Sequence, residues 1–207
     1  MTLFDWIAAA VVITTITYVS FVQTVGGWIS AMRKGQAVSL FPERGGRKWP
    51  QWVQIAFVIL GLVIFIWLAY LFWIPLLPFA PTKPRVLDGI GLALYLVGLG
   101  FVEWARRTLG KYWGLSTSRQ VKLLDDHQLV QTGPYAFVRH PMYSGWWAAM
   151  LGLTLLYPVW AVFLMFLSTL IAFFGRARQE EAALADRFGD EWVEYKRHTK
   201  MIIPFVF

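Results

Sequence analysis

The sequence predicts an all-α integral membrane protein. About five transmembrane segments, including a C-terminal helical hairpin, are followed by a cytoplasmic amphipathic helix. Three observations lead there. Apolar runs recur that are near or above the roughly 20 residues a helix needs to cross a bilayer. The chain is 57% hydrophobic and 15% charged, whereas soluble proteins average about 25% charged residues. Its 12 Trp and 8 Tyr residues, many near the ends of the runs, fit interfacial aromatic belts.

The first run, Leu3 to Met32, has no basic leader and no small-residue cleavage site, and Asp5 stands at its start; it reads as a retained anchor, not a signal peptide. Further runs span Trp52 to Phe79 and Val86 to Trp104. From Pro141 a fourth run reaches Phe174, and Tyr157-Pro158 near its middle breaks it into a helical hairpin, because proline removes a hydrogen bond and clashes with the preceding turn. The two arms, of about 15 to 17 residues each, are short for a perpendicular crossing. The loop from Arg33 to Pro50 carries Arg33, Lys34, Arg44, Arg47 and Lys48, while Pro81 to Arg85 carries only Lys83 and Arg85. The first loop is therefore assigned to the cytoplasm. The segment from Ala105 to Arg139 and the tail from Gly175 onward follow it there.

The tail Arg176 to Lys200 carries six cations and six anions. Ala182, Ala183, Leu184, Phe188, Trp192 and Tyr195 are spaced for one apolar helical face, with an interruption near Gly189. No repeat or independent soluble domain is visible. Residues 1–207 read as a single membrane domain, with two generic helices in 1–85 and a functional core in 86–207.

The inventory excludes several classes of chemistry. Cysteine is absent, which removes disulfides, thiolate ligands and cysteine nucleophiles. The three histidines, His127, His140 and His198, have no metal-ligand spacing, so no metal is expected. The net charge of +7 lies in loops between apolar runs and not along a stripe, so no nucleic-acid partner is expected. Gly91, Gly98 and Gly100 lie inside an apolar run and suit close helix packing better than phosphate binding.

Polar and ionisable groups instead gather at His127 to Gly145, just before the chain re-enters the membrane. Arg139-His140-Pro141 places a permanent cation, a titratable imidazole and a helix-starting proline at that boundary, a combination that suits an anionic ligand. The bland alternative is that Arg139 marks the positive-inside boundary and His140 caps a helix. Arg176 and Glu180 share one helical face at the end of the last apolar run. As a plain surface pair they would contribute only about 0.2 to 0.5 kcal/mol.

Five separated pieces carry a resemblance. They are Thr108-Leu109-Gly110 with Trp113; His127-x-Leu129-Val130-x-x-Gly133-Pro134-Tyr135; Arg139-His140-Pro141-x-Tyr143-x-Gly145; Glu180-Glu181-x-x-Leu184; and Phe188-Gly189-x-Glu191-x-x-x-Tyr195. In order and spacing they resemble the isoprenylcysteine carboxyl methyltransferases and their phospholipid-methyltransferase relatives, over roughly Gly89 to Pro204.

The resemblance implies S-adenosylmethionine as cofactor and a lipophilic or lipid-linked acceptor, with an isoprenylcysteine-type carboxylate first among the candidates. Carried over by motif, Gln120, His127, Gln128, Leu129, Val130, Tyr135, His140, Pro141, Met142, Tyr143 and Glu180 would line the cofactor pocket. Gln128 and Met142 would act through backbone. Arg176 would contact the acceptor, and Arg139 and Arg176 together would orient its negative charge. The pocket would face the cytoplasm, with membrane lipids around the fold. Two other readings stand beside this one. The Arg-His-Pro-x-Tyr-x-Gly piece and the closing Ile203-Pro204-Phe205-Val206-Phe207 are similar to membrane sterol and steroid reductases that use NADPH. A non-catalytic lipid-binding membrane protein is the third.

Overall fold

The computed structural model describes residues 2–18, 50–76, 83–112 and 128–203. Among the described residues the structure is helical, and pairing in the manner of strands is confined to two isolated bridges, Pro75 with Val159 and Val138 with Lys200. The α-helices are α1 (Leu3–Thr17), α2 (Gln51–Leu71), α3 (Arg85–Leu109), α4 (Pro141–Leu156), α5 (Trp160–Phe188) and α6 (Asp190–His198). Short 3-10 turns cover Gly110–Tyr112 and Gly133–Ala136. The chain divides into two compact units, 1–57 with 114–120, and 58–113 with 121–207.

In the first unit, α1 opens on a local cap. The Thr2 backbone N–H donates to Asp5 Oδ2 at 2.5 Å, which satisfies one of the donors a helix leaves unpaired at its start. Asp5 is thus an N-terminal device of the helix. The rest of the run expected up to Met32 lies outside the described residues beyond Tyr18.

In length and apolarity, Trp52–Leu71, Arg85–Leu109 and Trp160–Phe188 can cross a membrane, whereas α1 and α4, at 15 and 16 residues, are shorter. The exposed large side chains of α2, such as Phe65, Ile66 and Trp67, would be costly in water and are at home in hydrocarbon.

The second unit is built on the seam between α3 and α4. A Cβ placed on Gly98 would sit 2.5 Å from both Gly145 O and Ala149 N, and one on Gly152 would sit 2.5 Å from Tyr95 N. Gly91 and Gly145 are equally tight, against Gly152 O at 2.8 Å and Gly98 O at 2.6 Å. The glycines repeat seven residues apart on both helices, two turns of each, so the backbones touch where side chains would hold them apart. Of the three glycines expected to pack, Gly91 and Gly98 do; a Cβ on Gly100 would meet nothing within 4 Å.

The Tyr157-Pro158 break makes the expected hairpin between α4 and α5. Its backbone groups pair with 72–76: Leu76 N–H donates to Pro158 O at 2.8 Å, and Trp160 N–H to Ile74 O at 3.0 Å. Lys83 Nζ caps the end of α4, donating to Leu155 O and Leu156 O at 2.9 Å each, and pairs with Asp88. The second arm differs from expectation. It does not stop at Phe174 before a separate tail helix but runs unbroken for 29 residues to Phe188. No proline falls within it, and Gly175 alone is too weak a breaker to end it. At about 1.5 Å per residue it is longer than the roughly 30 Å hydrocarbon core, and its charged residues begin at Arg176, after the apolar part. Gly189 ends it in the left-handed region at φ 49°, and α6 follows.

Candidate active site

The chain approaches α4 through a rigid turn. Gly133 has φ 59°, and a Cβ there would lie 2.9 Å from Thr108 Oγ1 on α3, so the backbone conformation and the close approach both require glycine. Tyr135 is buried within the turn; its carbonyl accepts a 2.7 Å hydrogen bond from the buried Tyr195 hydroxyl of α6. Pro141 occupies the first helical position, where its missing N–H costs nothing.

A strap formed by residues 199–202 holds the next three residues from the other side. Arg139 N–H donates to Lys200 O at 2.9 Å and His140 N–H to Met201 O at 3.0 Å. The Ser144 hydroxyl donates to Ile202 O. Ile202 is fully buried and, with Met201 and Ala177 of α5, forms a small core against Tyr143, Trp147 and Phe174. The backbone of His140 is therefore fixed on both sides.

Charged side chains converge here from α5. Arg139 is 9% exposed; its Nε donates to Glu181 Oε1 at 2.6 Å and its terminal nitrogen to Thr199 O at 2.5 Å. Glu180 Oε1 accepts from the Tyr143 hydroxyl at 2.8 Å and from Arg176 Nε at 3.0 Å. The His140 imidazole lies between the two carboxylates, Nδ1 being 3.4 Å from Glu180 Oε2 and Nε2 3.5 Å from Glu181 Oε1. It stacks on Tyr143 at 5.5 Å, which stacks in turn on Phe173 at 4.9 Å. Burial disfavours the imidazolium, but the adjacent Glu180 and then Glu181 outweigh it and raise the His140 pKa above 6.5. Burial likewise pushes the Tyr135 phenol up, helped by the charges of Tyr195 and Glu180.

His140 Nε2 and the Tyr135 hydroxyl are buried polar atoms with no hydrogen-bond partner among the described residues. Such atoms are uncommon in folded proteins and suit a polar ligand. No group of three or more His, Asp or Glu able to hold a metal occurs among the described residues.

The structure thus brings Tyr135, Arg139, His140, Pro141, Tyr143, Arg176 and Glu180 to one junction. Gln128, Leu129 and Val130 form the stretch leading into the turn, Gln128 exposed and the other two half-buried, and Met142 is half-buried on the first turn of α4. Gln120 and His127 lie outside the described residues. Glu181, Ser144 and Thr199 were given no role from sequence. Glu181 could have been found by its position beside Glu180, but a backbone carbonyl such as that of Thr199 leaves no sequence signal.

The model for the isoprenylcysteine carboxyl methyltransferase (ICMT) family matches residues 91–186. A protein-S-isoprenylcysteine O-methyltransferase of Saccharomyces cerevisiae is 42% identical over 120 residues, covering 56% of this chain and 48% of that protein. The Homo sapiens protein of the same name is 38% identical over 85 residues, covering 40% of this chain and 29% of its own length. The chain thus spans half or less of the length of these curated relatives. A solved structure of a eukaryotic intramembrane Ras methyltransferase, ICMT, aligns with TM-score 0.58 and 27% identity over 70% of this chain and 53% of that one. The matched segment contains the glycine seam, the His140 junction and both glutamates, and over it the chain is similar to the isoprenylcysteine carboxyl methyltransferase family.

Proposed function

We propose that the chain is an S-adenosylmethionine-dependent methyltransferase acting on a lipophilic acceptor, foremost the carboxylate of an isoprenylcysteine. The observation that carries this reading is Glu180, an anion oriented by Tyr143 and Arg176 and facing the His140 imidazole, with the buried Tyr135 hydroxyl left without a hydrogen-bond partner among the described residues. That donor set fits the cofactor's mixed charge and its polar amino-acid and ribose groups. S-adenosylmethionine, when bound, supplies a methyl group already activated by its sulfonium.

A carboxylate acceptor needs no proton removed, so the chain's work is placement and exclusion of water. Glu180 faces the cofactor's positive charge. Gln120, His127, Gln128, Leu129, Val130, Pro141 and Met142 complete the lining, Gln128 and Met142 through backbone. Arg176, one turn nearer the apolar part of α5, meets the acceptor, since a guanidinium binds a carboxylate in bidentate fashion. Arg139 contributes as a positioning residue: its guanidinium, tied to Glu181 and to the Thr199 carbonyl, holds the strap against α5 beside His140.

The same reading gives five crossings, the short α4 and the apolar part of α5 forming the last two, and an amphipathic end beyond them. The pocket faces the cytoplasm, supported by the cations of residues 33–50. Residues 86–207 form the catalytic core and 1–85 two N-terminal helices, in one membrane domain that uses neither metal nor nucleic acid.

Calorimetry on the purified chain tests the cofactor: S-adenosylhomocysteine gives a saturable heat and NADPH none. The opposite result would favour a reductase. Transfer of a labelled methyl group to a prenylated cysteine peptide tests the acceptor.

A further inference from the structure

The side of α5 away from Arg176 and Glu180 carries a second arrangement of charge. A cleft of about 440 Å³ opens there between α5, α6 and the strap, lined by Phe174, Arg178, Lys196, Lys200 and Met201, with the Arg139–Glu181 pair at its back. Four cations face one carboxylate, and that carboxylate is already engaged by Arg139 at 2.6 Å. Lys196 Nζ reaches it only at 4.0 Å. Among the described residues, Arg178 and Lys200 have no carboxylate partner, and both are exposed. The Arg178 guanidinium stands 4.5 Å over the Phe174 ring, which holds its planar donor fork at the mouth of the cleft.

Cations flanking a membrane span are common, and scattered ones need no ligand. Two features set these apart. They converge on a concavity with an apolar wall of Phe174 and Met201. They also crown an apolar track: Leu164, Leu167 and Ile171, exposed by 41%, 37% and 77%, precede Phe174 and Arg178 at alternating steps of three and four residues, and so line one stripe of α5. An apolar stripe leading into a cationic cleft at a membrane boundary matches a molecule with a hydrocarbon tail and an anionic head.

We propose that this cleft binds the phosphate headgroup of an anionic phospholipid, whose acyl chain lies along the Leu164–Ile171 stripe. The site is separate from the His140 junction but shares the strap, so the lipid would fasten the element that holds His140 in place.

Thermal melting of the full chain in a neutral detergent, followed by Trp fluorescence, tests this. Dioctanoyl phosphatidylglycerol at saturation should raise the midpoint on the order of 5 °C, while dioctanoyl phosphatidylcholine and inorganic phosphate should not. Lys200→Gln and Arg178→Gln should each weaken the apparent lipid affinity about tenfold or more. Arg197→Gln, on α6 outside the cleft and paired with Glu194, should leave it unchanged. Ile171→Gln should weaken the lipid response through the track. Lys200 joins the strap only through its backbone, so Lys200→Gln keeps the fold even if Arg178→Gln does not. Equal stabilisation by phosphatidylcholine or by inorganic phosphate would overturn the proposal, as would equal loss in Arg197→Gln.

Discussion

Gly98→Ala and Gly100→Ala, two residues apart on α3, should change stability in opposite directions. In a helix interior, alanine is favoured over glycine by about 0.8 to 1 kcal/mol. At Gly100 nothing lies within 4 Å of the added methyl, so this gain is realised. At Gly98 the methyl would lie 2.5 Å from Gly145 O and from Ala149 N, both backbone atoms that cannot rotate away. The helices must part by about 1 Å to restore ordinary contact, and overpacking of this kind costs about 1 to 3 kcal/mol. Net of propensity, Gly98→Ala is destabilising by up to about 2 kcal/mol. For a chain of this size each kcal/mol moves the midpoint by about 2 to 4 °C. Detergent-solubilised variants melted under Trp fluorescence should therefore lie on either side of wild type. Gly98→Ala should also weaken S-adenosylhomocysteine binding, because α4 carries Pro141 at its start and shifts His140 with it. A Gly98→Ala variant melting at or above wild type would refute the seam as a backbone contact.

Glu180→Gln should weaken S-adenosylhomocysteine binding on the order of 10- to 100-fold, the equivalent of one charged hydrogen bond. Arg176→Ala should instead raise the KM for a prenylated acceptor, and equal loss of cofactor affinity in both variants would reduce the pair to a structural salt bridge. His140 has a raised pKa, so the stabilisation from its imidazolium is fully present below about pH 6.5 and is lost as pH rises through the folded value. The wild-type melting midpoint should fall across that interval and the fall should flatten in His140→Gln; an unchanged slope would place the titration elsewhere. Tyr195→Phe leaves the buried Tyr135 carbonyl without its donor and should cost about 1 to 3 kcal/mol, read as a lower melting midpoint with cofactor affinity reduced in parallel.

What could be read from sequence was local. Proline at 158 lacks a backbone donor and glycine at 189 takes a positive φ, and both positions interrupt helices here. The Arg-His-Pro and Glu-Glu pieces stand out in sequence because they set unusual side chains beside apolar runs, and the structure brings them to one junction. The continuity of α5 has no such local mark: charge sets in at Arg176 and suggests a boundary, yet charge alone breaks no helix. The glycine seam was half visible. Gly98 and Gly100 look alike in an apolar run, and only the position of α4 distinguishes the one that is packed. The strap was invisible, since residues 199–202 reach 138–144 mainly through backbone carbonyls, which every residue type carries.

That mixture of visible and invisible parts follows from how the junction is built. His140 is aimed from one side by a seam that excludes side chains and from the other by a strap that hardly uses them. Its immediate partners, Glu180 and Glu181, can therefore be devoted to charge and not to holding the backbone. Their positions are still not interchangeable: Glu181 is tied to Arg139 and the strap, while Glu180 is held by Tyr143 and Arg176. Under the proposed function, two adjacent carboxylates on one helix divide between anchoring the junction, Glu181 through Arg139, and facing the cofactor, Glu180. Glu181→Gln should accordingly lower the melting midpoint more than Glu180→Gln, and Glu180→Gln should lower cofactor affinity more than Glu181→Gln. A reversed ranking in both measurements would exchange the two roles.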